Sequence, residues 1–246
     1  MSQQAIWERE YTNKNLVGGD KPALSFRVFC KWLRKERKKN ELIVNPGFAF
    51  QGVNVLDLGS GEGKNALYLA ERGATVIGIE IAKNAITHAK EKAQEKSREL
   101  KVAGGSTEYI YGSIGKKFDL ADGSVDLVLD VTSSNSLNQQ QREIYLSESR
   151  RVLRKRGHMF VRALCKDSDQ NAKQLIIDHP GPEPDTYILP EIGITERVFT
   201  EKDIKELYST HFDIIKLEKE FHYTKIGDRS YKRAFWVMYL IKKGLA

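Results

Sequence analysis

The sequence predicts an α/β fold: a doubly wound sheet of seven strands, mostly parallel, with an antiparallel strand at the C-terminal end. Three observations carry this. Five short β-rich runs, at residues 53–58, 75–80, 107–111, 125–130 and 159–164, alternate with stretches of helical period, as in parallel strands joined by crossover helices. A glycine-rich turn, Gly59-Ser60-Gly61-Glu62-Gly63, follows the first run at once. Two further runs, 212–223 and 234–241, close the chain, and the last is continuously apolar, as a strand buried on both faces between two neighbours must be.

In chain order, Trp7 to Tyr11 reads as an amphipathic turn. Asp20 stands as N-cap of a helix opening at Lys21-Pro22, and Phe26, Phe29, Cys30 and Leu33 follow at i, i+3, i+4, i+7, a face made for the core. Asn45-Pro46-Gly47 marks the loop into the first strand. After it, Ala66, Leu67, Leu69 and Ala70 form one side of a helix, which Gly73 stops with positive φ. The second strand ends on Glu80, and Ala82, Ala85, Ile86, Ala89 and Ala93 set a helix over 82–99 that Gly104-Gly105 breaks.

The third strand runs into Gly112-Ser113-Ile114, and the turn Ala121-Asp122-Gly123-Ser124 introduces the fourth. Ile144, Tyr145, Val152 and Leu153 give the next helix its core side, with Gly157 as its stop. Residues 166–199 hold Pro180, Pro182, Pro184 and Pro190, four of the chain's six prolines, and a connection this long reads as a substrate lid. Thr200 with Asp203 forms the capping pattern of a last helix.

At 246 residues the chain suits one domain, with 1–50 as a helical extension covering a cofactor and 51–246 as the body. No apolar run approaches the ~18 residues of a membrane span, and the first residues lack the apolar core of a secretory leader. Cys30 and Cys165 are far apart and without metal-ligand spacing, so no metal site is expected and a reduced, cytoplasmic setting is. The net charge of +7 raises the question of a nucleic-acid partner. The clusters Arg34 to Lys39 and Arg150 to Arg156, however, end helices that run away from the carboxyl edge of the sheet, while residues 166–197 carry seven acids against three bases. This favours a small or cationic ligand over a phosphate backbone.

A strand, glycine-rich turn, helix and strand together hold a nucleotide-like cofactor at the carboxyl edge. The glycines let the backbone approach a ligand closely, and Glu80 is placed to accept hydrogen bonds from both ribose hydroxyls. The turn departs from the dinucleotide fingerprint. Asp57 and Glu62 would repel a pyrophosphate and attract the α-ammonium of a bound amino acid. The run Asp57-x-Gly59-x-Gly61-x-Gly63 resembles motif I of the class I S-adenosylmethionine-dependent methyltransferases, and Glu80 matches that family's ribose-binding acid.

The resemblance implies a Rossmann-like fold, S-adenosyl-L-methionine as cofactor, and methyl transfer to a nucleophile on a small molecule. It carries Asp57, Gly59 and Gly61 to the methionyl end, Glu80 to the ribose, Ile81 to one adenine face, and Ser113 with Ile114 to its edge. Ser60, Gly63, Asn65 and Asp130 join the cofactor set, and Trp7 with Tyr11 resembles a W-x-x-x-Y cover seen in small-molecule members. Asp130 and Ser133 at the end of the fourth strand, and His179 in the long loop, are the expected catalytic groups. Asp130 has the alternative of a purely local hydrogen-bonding role. Val131-Thr132 stands where amino-methylating nucleic-acid enzymes carry two prolines, which counts against that chemistry. Other readings are an RNA or protein methyltransferase, a nicotinamide-binding protein, or an interaction module without catalysis. A monomer or weak dimer with no membrane partner is expected.

Overall fold

The computed structural model describes residues 2–13, 19, 21–43, 45–226 and 229–244. Nine strands occur among them: β1 (Asn54–Leu58), β2 (Thr75–Glu80), β3 (Ser106–Tyr111), β4 (Val125–Val131), β5 (Leu153–Leu164), β6 (Thr186–Ile188), β7 (Thr195–Arg197), β8 (Phe212–Ile226) and β9 (Arg229–Lys242). Seven form one sheet in the order β3-β2-β1-β4-β5-β9-β8. The first five are parallel, and β9 runs antiparallel to both β5 and β8. This is the expected Rossmann-like sheet, and the last strand is inserted as its unbroken apolar run requires.

Helices cover both faces. On one, α2 (Leu24–Lys39) presses Phe26, Phe29, Cys30 and Leu33 against the sheet, with the Phe29 ring 4.9 Å from both Phe160 and Tyr239. On the other, Leu56, Leu58, Val128, Val161 and Met238 pack with Tyr145 of α6 (Gln139–Val152) and Ile204 of α8 (Glu201–Ser209). Each fully buried apolar side chain of this size contributes roughly 1.5–3 kcal/mol relative to exposure. Thr200 and Asp203 make the reciprocal cap foreseen for α8.

Three local expectations change. Helix α2 begins at Leu24, behind a buried Pro22, and its expected cap Asp20 lies outside the described residues. The helix read as 82–99 is two, α4 (Lys83–Glu95) and α5 (Ser97–Ala103), which meet at Lys96. Gly157 does not stop a helix: α6 ends at Val152, and Gly157 lies inside β5, where a Cβ would stand 2.9 Å from Leu153 and 3.0 Å from the Arg154 carbonyl. Close backbone approach, not helix termination, selects glycine there. Arg154 to Arg156 therefore open β5, and Arg154 pairs with Asp126 at 2.5 Å at the start of β4, the amino edge. Arg37, at the end of α2, binds the carbonyls of Leu42 and Ala49 in the loop before β1.

Residues 166–199 fold rather than loop. They contain α7 (Gln170–Asp178) and the hairpin β6–β7, whose Tyr187, Leu189, Ile194 and Val198 share a small core with Ile6 of α1 (Gln3–Asn13) and with Leu164 and Phe235 of the sheet. Arg233 ties this cap to β9 through ion pairs with Asp169 and Glu196, each at 3.5 Å. Among the described residues no helix is long and apolar enough to cross a membrane.

Candidate active site

The turn after β1 is shaped by its glycines. Gly59, Gly61 and Gly63 have φ of 67°, 54° and 78°, a region that side chains other than glycine adopt at a cost. A Cβ would strike Ser133 at the first, the Tyr11 hydroxyl at the second and the Tyr109 hydroxyl at the third. Glu80, at the end of β2, accepts the amides of Gly61 (2.8 Å), Ile81 (2.8 Å) and Ala82 (2.9 Å). Burial raises its pKa, and these amides pull it partly back. The acid expected to take the ribose thus holds the turn in shape.

Asp57, one strand over, has no such support. It is 1% exposed, and its Oδ2 has no partner among the described residues. Burial pushes it up to about 7, with Glu80 and Asp130 adding and Lys64 opposing. Ser60 Oγ and Asn65 Oδ1 are likewise buried without a partner. Such orphans are rare unless something binds them.

Helix α1 lies across this edge. Glu8 accepts the amides of Lys83 (2.6 Å) and Asn84 (3.2 Å), capping α4 from outside, and Asn84 donates to Thr12 at 2.8 Å. Tyr11 stands over Gly61 with its hydroxyl pushed well up by burial and then by Glu80, Glu62 and Asp57. Between α1 and the cap opens a cavity of about 710 Å³. Gln4, Ile81, Ser113, Asn135, Glu183 and Thr195 are among its lining residues, drawn from α1, the sheet edge and the cap.

Comparison with known proteins gives a matching answer. The family described as "Methyltransferase domain" matches residues 56–161, which include the turn, Glu80 and β4. Over this stretch the chain is similar to methyltransferase domains. It is 37% identical over 93 residues to a 2-heptyl-1-hydroxyquinolin-4(1H)-one methyltransferase of Mycobacteroides abscessus, covering 37% of each chain. It is 25% identical over 150 residues to a ubiquinone biosynthesis O-methyltransferase of Pelagibacter ubique, covering 61% of this chain and 58% of that one. The matches thus span less than two thirds of either curated relative. A solved S-adenosylmethionine-dependent methyltransferase from Methanosarcina mazei superposes with a TM-score of 0.68 at 23% identity, over 77% of this chain and 92% of that one.

The cofactor that this similarity implies is S-adenosylmethionine, and the residues of this site fit it. A sulfonium and an α-ammonium suit the unpaired carboxylate of Asp57, and the glycine cradle admits a ligand where any Cβ would intrude. Ile81 and Ser113 line the cavity as expected for an adenine site, while Ile114 turns into the core behind them.

Two catalytic expectations do not survive the geometry. Asp130 is fully buried, and its carboxylate accepts the Tyr145 hydroxyl at 2.7 Å and the amides of Ser133 (2.9 Å) and Ser134 (3.3 Å). It holds the exit of β4 in place, the local role left open above. His179 is the C-cap of α7 and exposed, because the segment around it folds as a helix end outside the cavity wall. Ser133 does reach the site: its Oγ donates to the Gly59 carbonyl at 3.3 Å. Five of the cap's acids are already engaged and are not free to draw in a cation. Asp167 and Asp169 accept backbone amides, Asp178 accepts from Gln174, Asp185 pairs with Lys166, and Glu196 accepts the Tyr187 hydroxyl.

Glu8, Asn135, Arg142 and Arg233 were not foreseen. Glu8 lies between Trp7 and Tyr11 in a stretch already singled out. The other three lie in elements whose facing partners come from distant parts of the chain.

Proposed function

We propose that this protein transfers a methyl group from S-adenosylmethionine to a nucleophile on a small molecule. The observation that carries the reading is the cavity: it meets the cofactor edge at Ile81 and Ser113, and α1 and the cap roof it. Its volume of about 710 Å³ falls in the range of small-molecule sites, roughly 300–1,000 Å³. The basic clusters lie at the amino edge, where they would not guide a nucleic acid to this opening.

The bound sulfonium supplies a methyl carbon whose leaving group is already activated. The chain's own work is then alignment and exclusion of water. Asp57 holds the cationic end, with Ser60 and Asn65 offering further polar atoms beside the turn formed by Gly59, Gly61 and Gly63. Glu80 takes the ribose, Ile81, Ser113 and Ile114 the adenine side, and Tyr11 with Trp7 covers the methionyl end. Asp130, through Ser133, positions the wall beside the transfer point. We place the protein in the cytoplasm, a reading supported by two free, buried cysteines.

The test is to incubate the protein with labelled cofactor and a cell extract separated into metabolites, RNA and protein. Label is expected in the metabolite fraction. Label in RNA or protein alone would redirect the reading to a macromolecular acceptor, and failure of S-adenosylhomocysteine to bind in calorimetry would end it.

A further inference from the structure

Several buried donors around the cavity have no acceptor among the described residues, and they lie close together. Asn135 lines the cavity and is 1% exposed. Its Oδ1 accepts the Leu164 amide at 3.1 Å. Only the oxygen can take an N–H, so this contact fixes the orientation of the side chain, and Nδ2 is left as an unpaired donor. Arg142, 3% exposed, donates through Nη2 to the Leu137 carbonyl, and its Nε and Nη1 have no partner. The Nε of Arg197 is unpaired as well. Both guanidiniums stand 5.3 Å from the centroid of the Phe199 ring. Burial, and then repulsion from Arg197, bring Arg142 down to about 10.

Leu137, Gln141 and Thr195, which flank these arginines, line the cavity. Of the carboxylates nearby, Asp130 is already held by Tyr145 and two amides, and Glu183 gives one oxygen to the Gln139 amide at 3.0 Å while its other has no partner. The amide of Asn135 and this half-engaged acid thus line the cavity, and the two guanidiniums stand behind the lining residues Leu137, Gln141 and Thr195. Buried donors left unpaired are costly, and an incoming oxygen relieves that cost.

We propose that this wall anchors the methyl acceptor, and that the acceptor is a small organic acid whose carboxylate is hydrogen-bonded by Asn135 Nδ2 and attracted by Arg142 and Arg197. The proposal rests on the cavity being the acceptor site. An ionised carboxylate only accepts hydrogen bonds, so it complements a wall whose free groups mostly donate. An ammonium brings donors to donors and cations to cations. The earlier expectation of a cationic acceptor is reversed on this argument.

Titration calorimetry with benzoate and with its neutral analogue benzamide, each with and without S-adenosylhomocysteine, tests the wall. Benzoate is expected to bind at least about tenfold more tightly than benzamide, the size of one hydrogen bond to a charged group. Asn135→Asp keeps an oxygen for the Leu164 amide but replaces the donor with a second anionic oxygen. It should weaken benzoate about tenfold or more and leave S-adenosylhomocysteine within about twofold. Arg197→Gln, at a half-buried position, should weaken benzoate in the same direction and serves if the first variant fails to fold. Equal binding of benzamide, no benzoate binding, or indifference to both variants would overturn the proposal. Loss of S-adenosylhomocysteine binding instead tells against the methyltransferase reading, while the benzoate titration still reports on the wall.

Discussion

The cofactor turn and the cap are both organised around buried acids, but the two regions treat them in opposite ways. In the cap, Asp169 caps α7, accepts the Ala234 amide and pairs with Arg233, which also reaches Glu196. Every one of these charges has an internal partner. At the turn, Asp57 is as deeply buried as Asp169, yet one of its oxygens has none, and burial holds its pKa up to about 7. A buried charge with a partner is structure, and a buried charge without one is a vacancy for a ligand. The contrast also sorts neighbouring strand ends: Asp57 on β1 and Asp130 on β4 are adjacent and fully buried, but only Asp130 is satisfied by its surroundings.

The largest effect should come from breaking the cap. Arg233→Met leaves Asp169 and Glu196 without their cation, and removal of one partner from a buried pair costs about 3–5 kcal/mol. Urea unfolding should show that loss, and amide hydrogen exchange should rise in 166–199 while β1 and β2 stay protected. A loss under about 1 kcal/mol would mean that the cap's ion pairs are ornamental and that the contrast drawn here is false.

Asp57→Asn is the reciprocal experiment, expected to weaken S-adenosylmethionine about tenfold to a hundredfold in calorimetry, as for a lost hydrogen bond to a charged group. Stability should move the other way. The folded-state pKa of Asp57 lies above its unfolded value, so the native state binds the proton more tightly, and stability falls as pH rises from about 4 to about 7. The slope is at most about 1.4 kcal/mol per pH unit. The asparagine variant lacks this loss, so its advantage over wild type should open across that window and level off above it. By the same sign, a cationic cofactor favours the ionised form and should release protons on binding below pH 7. Equal stability of the two proteins at pH 5 and pH 8 would show that Asp57 is paired after all.

The smallest effect concerns the exit of β4. Thr132 has φ of 64°, which is strained for a β-branched residue, and it turns the chain so that Ser133 meets Gly59. Relief of that strain, of order 1–3 kcal/mol, less the roughly 0.5–1 kcal/mol entropic penalty of glycine, predicts that Thr132→Gly stabilises the fold by about 1 kcal/mol in thermal unfolding. Destabilisation would show that the threonine's contacts outweigh its backbone.

Much of the cofactor half was legible because its signals are local. A glycine must stand where φ is positive and a ligand or side chain presses close, so Gly59, Gly61 and Gly63 mark the turn wherever the rest of the chain goes. Strand period, the apolar run of β9 and the Thr200–Asp203 cap are equally short-range, and they specified the sheet and its order through simple connection rules. The spacing from Asp57 to Glu80 is fixed by one strand, one helix and one strand, so the two acids had to meet at the same edge.

The roles of the remaining residues depend on contacts that sequence spacing does not encode. His179 was misplaced because proline content does not reveal that the segment folds into a helix and hairpin with its own core. Asp130 looks from the sequence like Asp57, and only the approach of Tyr145 from α6 and of two amides turned it from a candidate catalytic group into an anchor. Arg142 sits in a helix whose sequence gives no reason to bury a cation, and Asn135 becomes a donor toward the cavity only because the Leu164 amide, on β5, takes its oxygen. The sequence by itself determined the sheet, the turn and the acids that meet beside it, since each follows from the backbone preferences of residues near in the chain. Which of the buried polar groups are satisfied and which are left open was decided by tertiary structure alone, because satisfaction is a property of the partner, and those partners come from far along the chain.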